Sequence, residues 1–208
     1  MIMKKIFIAL LAVLMTGGTV QAQSLWDVSH PEHRFTFGVR AGVNFSSTDR
    51  DDASSTRTGF NIGVSADWNI VQCIALCSGI SYTEKGFKGE YGHASAGYLQ
   101  VPLQLSYRIE TRTGVRFHFN VGPYFAYGIA GRVSYEPQSL TFIYDFHQDA
   151  YGKEGFFKHF DSGLTAGVNI QIKKLLFGIN YELGMADIAR VYEKFHNRNI
   201  ALMVGLNF

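Results

Sequence analysis

The chain has 208 residues, 47% of them hydrophobic, and one pattern runs through it, so a single all-β domain is expected after the leader. Its 19 Lys+Arg stand against 17 Asp+Glu, two of the lysines lie in the leader, and a near-neutral mature chain offers no electrostatic case for binding nucleic acid. Beyond the leader no run of about 18 apolar residues occurs, which excludes a helical membrane span but not a barrel, whose signal per segment is weaker.

Met1 to Lys5 carries the two leader lysines, Ile6 to Met15 is apolar, and Val20-Gln21-Ala22 is a small-x-small site. This order predicts a secretory signal peptide over 1–22, cleaved after Ala22. Residues 23–34, polar and containing Pro31, read as a periplasmic arm, and 35–208 as an outer-membrane barrel domain.

Strand one is predicted from Phe35 to Ser46, with Phe35, Phe37, Val39, Ala41, Val43 and Phe45 on one face and Thr36, Gly38, Arg40, Gly42 and Asn44 on the other. A polar loop, Ser47 to Arg57, leads to strand two, Thr58 to Ile70, which sets Phe60, Ile62, Val64 and Trp68 against Asn61, Ser65 and Asp67. Strand three runs from about Cys73 to Phe87. Cys73 and Cys77 would lie roughly 13 Å apart in one extended strand, too far for a disulfide, so they read as two small strand residues. Lys88 to Ala96 is expected to be a Gly-rich loop.

Strand four, Tyr98 to Ile109, is the most regular. Leu99, Val101, Leu103, Leu105, Tyr107 and Ile109 share one face; Gln100, Gln104, Ser106 and Arg108 share the other. About ten residues is the length that crosses a bilayer when tilted. Strand five, Val115 to Gly131, alternates Phe117, Phe119, Val121, Phe125 and Tyr127 with His118, Asn120 and Tyr124. The longest connection, Arg132 to His159, contains an alternating piece, Leu140 to Phe146. Strand six (Phe160 to Lys173), strand seven (Leu175 to Gly184) and strand eight (Asn199 to Phe208) repeat the pattern, the loop Met185 to Arg198 preceding the last. Pro102 and Pro123 fall inside strands and are expected to mark local bulges.

A soluble sandwich could also alternate. The sequence favours a closed antiparallel eight-stranded transmembrane barrel, an up-and-down meander, on three grounds. The strand count is even. Connections are expected to alternate long and short, which places both termini at the periplasmic end. The apolar rows carry no Lys, Arg or Asp, and Glu84 alone is in register with them, at the outer end of strand three. Aromatics close the rows at both ends, as interfacial girdles do.

Tyr98-Leu99-Gln100-Val101-Pro102-Leu103, Gly122-Pro123-Tyr124, Phe160-Asp161-Ser162-Gly163-Leu164 with Ala166-Gly167, and Tyr181-Glu182-Leu183-Gly184 resemble, in order, the recurrent segments of the PorT-like outer-membrane β-barrel family. The resemblance implies an eight-stranded barrel of the cell outer membrane, usually of undefined activity, some members being tied to protein secretion. It brings no catalytic residues. Leu206-Asn207-Phe208 is similar to the terminal aromatic signal read by the barrel-assembly machinery.

The inward ionisable and amide residues, Arg40, Asp67, Gln104, Arg108, His118, Asp161 and Glu182, are expected to form a polar network filling the lumen, with Arg40 paired to Glu182 or Asp67. Candidate acid and base groups near the outer rim are Glu90, His93, His147, Asp149, His159 and Asp161, but no nucleophile, base and orienting group come together in the sequence. An enzyme is therefore not expected, and no cofactor or metal is called for. In the long connection, Tyr135, Phe142, Tyr144, Phe146, Tyr151, Phe156 and Phe157 form a candidate contact surface for a protein partner, or pack to order the loop. The expected role is structural or interactive, carried by the outer loops, with a narrow channel for small solutes as the alternative; membrane lipid and lipopolysaccharide are the expected surroundings.

Overall fold

The computed structural model describes residues 27–48, 55–89, 92–135, 147–149, 158–186 and 196–208. The signal-peptide reading lies outside them. The strands are β1 (Phe35–Thr48), β2 (Ser55–Val71), β3 (Ile74–Gly89), β4 (Gly92–Glu110), β5 (Val115–Tyr135), β6 (His147–Asp149), β7 (Phe160–Ile172), β8 (Leu175–Gly184) and β9 (Asn197–Asn207). Each pairs antiparallel with its neighbour, β1 closes on β9, and β4 pairs with β5, so eight staves form a closed meander. β6 is an addition against the end of β5, with Arg132↔Asp149 and Ser134↔His147 in register.

Burial is inverted relative to a protein that folds in water. Asn44, Asn61, Asp67, Asn69, Arg108, His118, Asn169 and Glu182 are buried, whereas Phe37, Val64, Leu103, Leu105, Val121, Ile179 and Leu202 are exposed. The period-two pattern explains this directly, because successive side chains leave opposite faces of a strand. So continuous an apolar exterior has no stable place in water, and it suits lipid. Closure leaves no open edge within the wall, which satisfies the backbone between staves.

Three connections at one end are tight: Gln72–Cys73, 111–114 and Lys173–Lys174. Lys173 there adopts φ 56°, and Gly114 adopts φ 75°. At the opposite end the sequence expectation needs correction. Residues 88–89 and 92–96 are strand rather than loop: Gly89 pairs with Gly92, Lys88 with His93 and Phe87 with Ala94, so the β3–β4 hairpin continues as sheet as far as Gly89 and Gly92. Small and polar residues are compatible with strand once the ladder is already running, and paired backbone outweighs their weak intrinsic preference. β5 likewise runs on to Tyr135. Long and short connections therefore do not strictly alternate; length at this end is built partly from raised strand.

The prolines also behave differently from expectation. Register across β4–β5 is the same on both sides of the prolines, at Pro102↔Tyr124 and at Leu105↔Val121, and Pro123 pairs in register with Leu164. The register shift lies instead between Gly97 and Tyr98, where Gly97 faces Ala130 and Tyr98 faces Gly128. Proline removes one donor, and the ladder accommodates that by a local interruption. Gly122 beside Pro123 permits a close approach, since a Cβ there would stand 2.1 Å from the Leu103 carbonyl oxygen.

The arm crosses the tight-turn end. Cys73 N–H donates to Asp27 O (3.1 Å), Gln72 N–H to Ser29 O (3.1 Å) and Asn69 N–H to Arg34 O (2.9 Å), adding an antiparallel segment below the β2–β3 turn. Cys73 and Cys77 are both free thiols.

Candidate functional site: the polar lumen

The inward rows carry the buried polar and charged residues, among Ala75, Ala96, Tyr98, Tyr124, Ala126, Leu176 and Ala201, so the lumen is where charge gathers. The structure places Arg40, Asp67, Gln104, Arg108, His118, Asp161 and Glu182 on that face: Asp67 and Arg108 in one charge layer, Asp161 and Glu182 in another, and Arg40, Gln104 and His118 around a chamber between them.

The layer nearer the tight turns centres on Arg108. Its Nη2 donates to Asp67 Oδ2 at 2.7 Å and its Nη1 to Asn69 Oδ1 at 2.5 Å, with Cys77 Sγ at 3.5 Å from Nη2. Asn69 in turn donates to His33 O (2.7 Å) and Thr36 Oγ1 (3.0 Å), tying the layer to the arm. A pocket of about 160 Å³ lies at this mouth between Pro31, Glu32, His33, Arg108, Glu110 and Arg116.

The second layer, toward the longer connections, centres on Lys85. Its Nζ lies 2.9 Å from Glu182 Oε2 and 3.8 Å from Asp161 Oδ2, and its side chain is fully buried. The ammonium also sits 4.3 Å from the centre of the Tyr124 ring and 5.8 Å from that of Tyr98, a cation between two π faces. Both carboxylates are further held: Gln100 Nε2 (2.6 Å) and Asn199 Nδ2 (3.1 Å) donate to Glu182, and Asn197 Nδ2 (2.9 Å) and Tyr124 OH (3.3 Å) donate to Asp161. A buried ion pair needs such extra donors, because desolvation otherwise outweighs the Coulomb attraction.

Two sequence readings change. Arg40 pairs with neither suggested partner: Asp67 is taken by Arg108 and Glu182 by Lys85. The Arg40 guanidinium instead donates from Nη1 to the carbonyls of Val39 (3.2 Å) and Leu206 (3.3 Å). Sequence reasoning also missed Lys85, although the signal was present, since Lys85 continues the inward series Gly79, Ser81, Thr83. Its neighbour Glu84 faces out and pairs with Arg57 Nη2 at 2.6 Å.

Between the layers lies a chamber of about 120 Å³, lined among others by Arg40, Asn61, Gln104, His118, Asn120, Asn169, Asn180, Ala201 and Met203. Gln104 Nε2 donates across it to Thr165 Oγ1 at 3.3 Å.

Of the candidate acid and base groups, the described side chains are those of Asp161 and His159. Asp161 is committed to the Lys85 cluster. His159 stacks on Tyr127 with ring centres 5.2 Å apart and places Nδ1 2.9 Å from Gly128 O. Glu90 and the side chains of His93, His147 and Asp149 lie outside the described residues, as do Phe142, Tyr144, Phe146, Tyr151, Phe156 and Phe157; Tyr135 ends β5, its side chain not described. Among the described residues no group of three His, Cys, Asp or Glu is placed to hold a metal ion.

Solved structures similar to this chain include Ail, the attachment invasion locus protein of Yersinia pestis, at 13% identity and TM-score 0.48, covering 85% of this chain and 100% of that one. OprG of Pseudomonas aeruginosa is similar at 13% identity and TM-score 0.42, covering 88% of this chain and 99% of that one. Neisserial surface protein A is similar at 13% identity and TM-score 0.44, covering 83% and 97%. No curated protein matches the chain. Residues 21–190 match the family described as outer membrane protein beta-barrel domain, and the closed, inside-out barrel of eight staves agrees: the chain belongs to that family of cell outer-membrane proteins.

Proposed function

We propose that this protein is a non-enzymatic interaction protein of the outer membrane, its barrel a sealed anchor and its contacts made by the connections opposite the tight turns. The observation that carries the reading is the Lys85 cluster. A fully buried ammonium fixed between Glu182, Asp161 and two tyrosine rings stands across a lumen already narrow in an eight-stranded barrel. A hydrated solute would have to separate these charges, and the Arg108–Asp67 pair blocks the other side.

The segments around Pro102, Pro123, Asp161 and Glu182 support placement in the PorT-like branch, and with it an association with envelope or secretion machinery. On the same reading 1–22 is the export signal, 23–34 a periplasmic arm, and Phe208 the contact for the barrel-assembly machinery. The aromatic connection from Tyr135 to Phe157 is the proposed contact surface, facing a protein partner or lipopolysaccharide. The chamber favours the alternative, a narrow channel for small solutes, only where both charge layers part.

Liposome swelling tests this. Vesicles carrying the protein should take up a small sugar no faster than empty vesicles; faster uptake would favour the channel. Exchanging residues 136–157 for those of an unrelated barrel should remove partner capture while leaving the barrel inserted.

A further inference from the structure

We propose that residues 27–34 are a strap that locks the Arg108 layer, so that lifting the strap opens the tight-turn end of the lumen while the Lys85 layer stays closed. The proposal goes beyond the sealed-anchor reading and rests on it for the second part alone.

The two layers are held in different ways. The carboxylates around Lys85 take their further donors from three staves of the wall: Gln100 on β4, Tyr124 on β5, and Asn197 and Asn199 on β9. Arg108, on β4, draws its two oxygen acceptors from a single stave, since Asp67 and Asn69 both lie on β2. Asn69 is the joint. Its Oδ1 accepts from Arg108, its Nδ2 donates to His33 O and Thr36 Oγ1, and its backbone N–H donates to Arg34 O. One residue thus carries the arm on one side and the guanidinium on the other.

The strap itself is lightly held. Its other bonds to the barrel run from Gln72 and Cys73 N–H to the Ser29 and Asp27 carbonyls, and every residue of 27–34 except Pro31 is exposed. A segment with few buried contacts and exposed backbone bonds opens far more readily than the structure it rests on. Lifting it frees Asn69 from His33 and Arg34, and lets water reach the Arg108–Asp67 pair, whose side chains are only 5% and 7% exposed. An ion pair opened to water falls toward the small energy of a surface pair. The guanidinium also has room to turn, because Arg108 borders the same mouth pocket of about 160 Å³ as the arm residues Pro31, Glu32 and His33.

Cys77 reports on the lock. Arg108 N–H donates to Cys73 O (2.8 Å), level with the β2–β3 turn; Cys77 lies deeper along β3, where it lines the chamber with Sγ 3.5 Å from Arg108 Nη2. In a Cys73→Ser protein in nanodiscs, a charged methanethiosulfonate that does not enter lipid should modify Cys77 slowly. Deleting residues 27–33 should speed modification about tenfold or more, because the lost bonds raise the open population. Where the deletion does not insert, a specific protease site between Arg34 and Phe35 removes the arm after insertion. Asn69→Ala should also speed modification, and should add little once the arm is gone, since both changes cut one link. Fast modification with the arm in place, equal rates with and without it, or additive effects of the two changes would overturn the strap. Planar-bilayer recordings separate the readings. Conductance with the arm in place would sink the sealed lumen, conductance only without it would refute the closed Lys85 layer, and silent bilayers with arm-independent modification would sink the strap alone.

Discussion

Lys85→Met removes the cation at the centre of the second layer while keeping an unbranched side chain of similar length. Glu182 keeps its donors Gln100 and Asn199, and Asp161 keeps Asn197 and Tyr124, but both carboxylates lose the charge 2.9 and 3.8 Å away. Breaking a buried pair by deleting one partner costs about 3 to 5 kcal/mol, and the four remaining donors argue for the lower end of that range. The loss should show in urea unfolding of the vesicle-inserted protein, followed through Trp68 on the lipid-facing row in a Trp26→Phe background. Adding Glu182→Gln to Lys85→Met removes one uncompensated carboxylate and should restore much of the stability, because a neutral replacement of a buried pair is often nearly neutral in energy. A loss below about 1 kcal/mol for Lys85→Met, or a double variant no better than the single, would refute the reasoning that this ion pair is a closed, water-poor plug.

The two faces of β4 should respond oppositely to one charge: Leu103→Arg, on the exposed apolar row, should cost about 2 to 4 kcal/mol near the bilayer midplane, and Gln104→Arg, inside, much less, both read by unfolding in lipid. Gly122→Val should cost about 1 to 3 kcal/mol by overpacking, since even a Cβ there would stand 2.1 Å from the Leu103 carbonyl; normal stability would mean that β4 and β5 can separate locally. Replacing residues 136–157 by a short Gly/Ser linker should leave a barrel that still shifts on heating in gel electrophoresis, because the stave ladders do not depend on it, and failure to insert would make that connection part of the fold.

The barrel was legible because one rule, alternation, acts in every stave and a closed sheet has only one way to satisfy it. Leu99 to Ile109 shows why: each residue's face follows from parity alone. Parity also held where it was not followed far enough, at Lys85, two residues beyond Thr83 on the inward face. What parity cannot supply is height. Arg40, Asp67, Arg108 and Glu182 all point inward, but which of them meet depends on the stagger between neighbouring staves, and that is set by pairings such as Asp67↔Cys77 and Cys77↔Gln104. Hence the wrong partner for Arg40. The segment 88–96 misled for another reason: its glycines and small polar residues carry the composition of a loop, while the backbone ladder rising from the barrel carries it on as sheet.

Single-channel recording in planar bilayers tests the sealed lumen most directly. With Lys85 held by Glu182 and Asp161, and Arg108 by Asp67, the wild type should show no stable conductance steps. Reproducible steps in the wild type, altered in amplitude or selectivity by Arg40→Ala or Arg108→Ala, would contradict it.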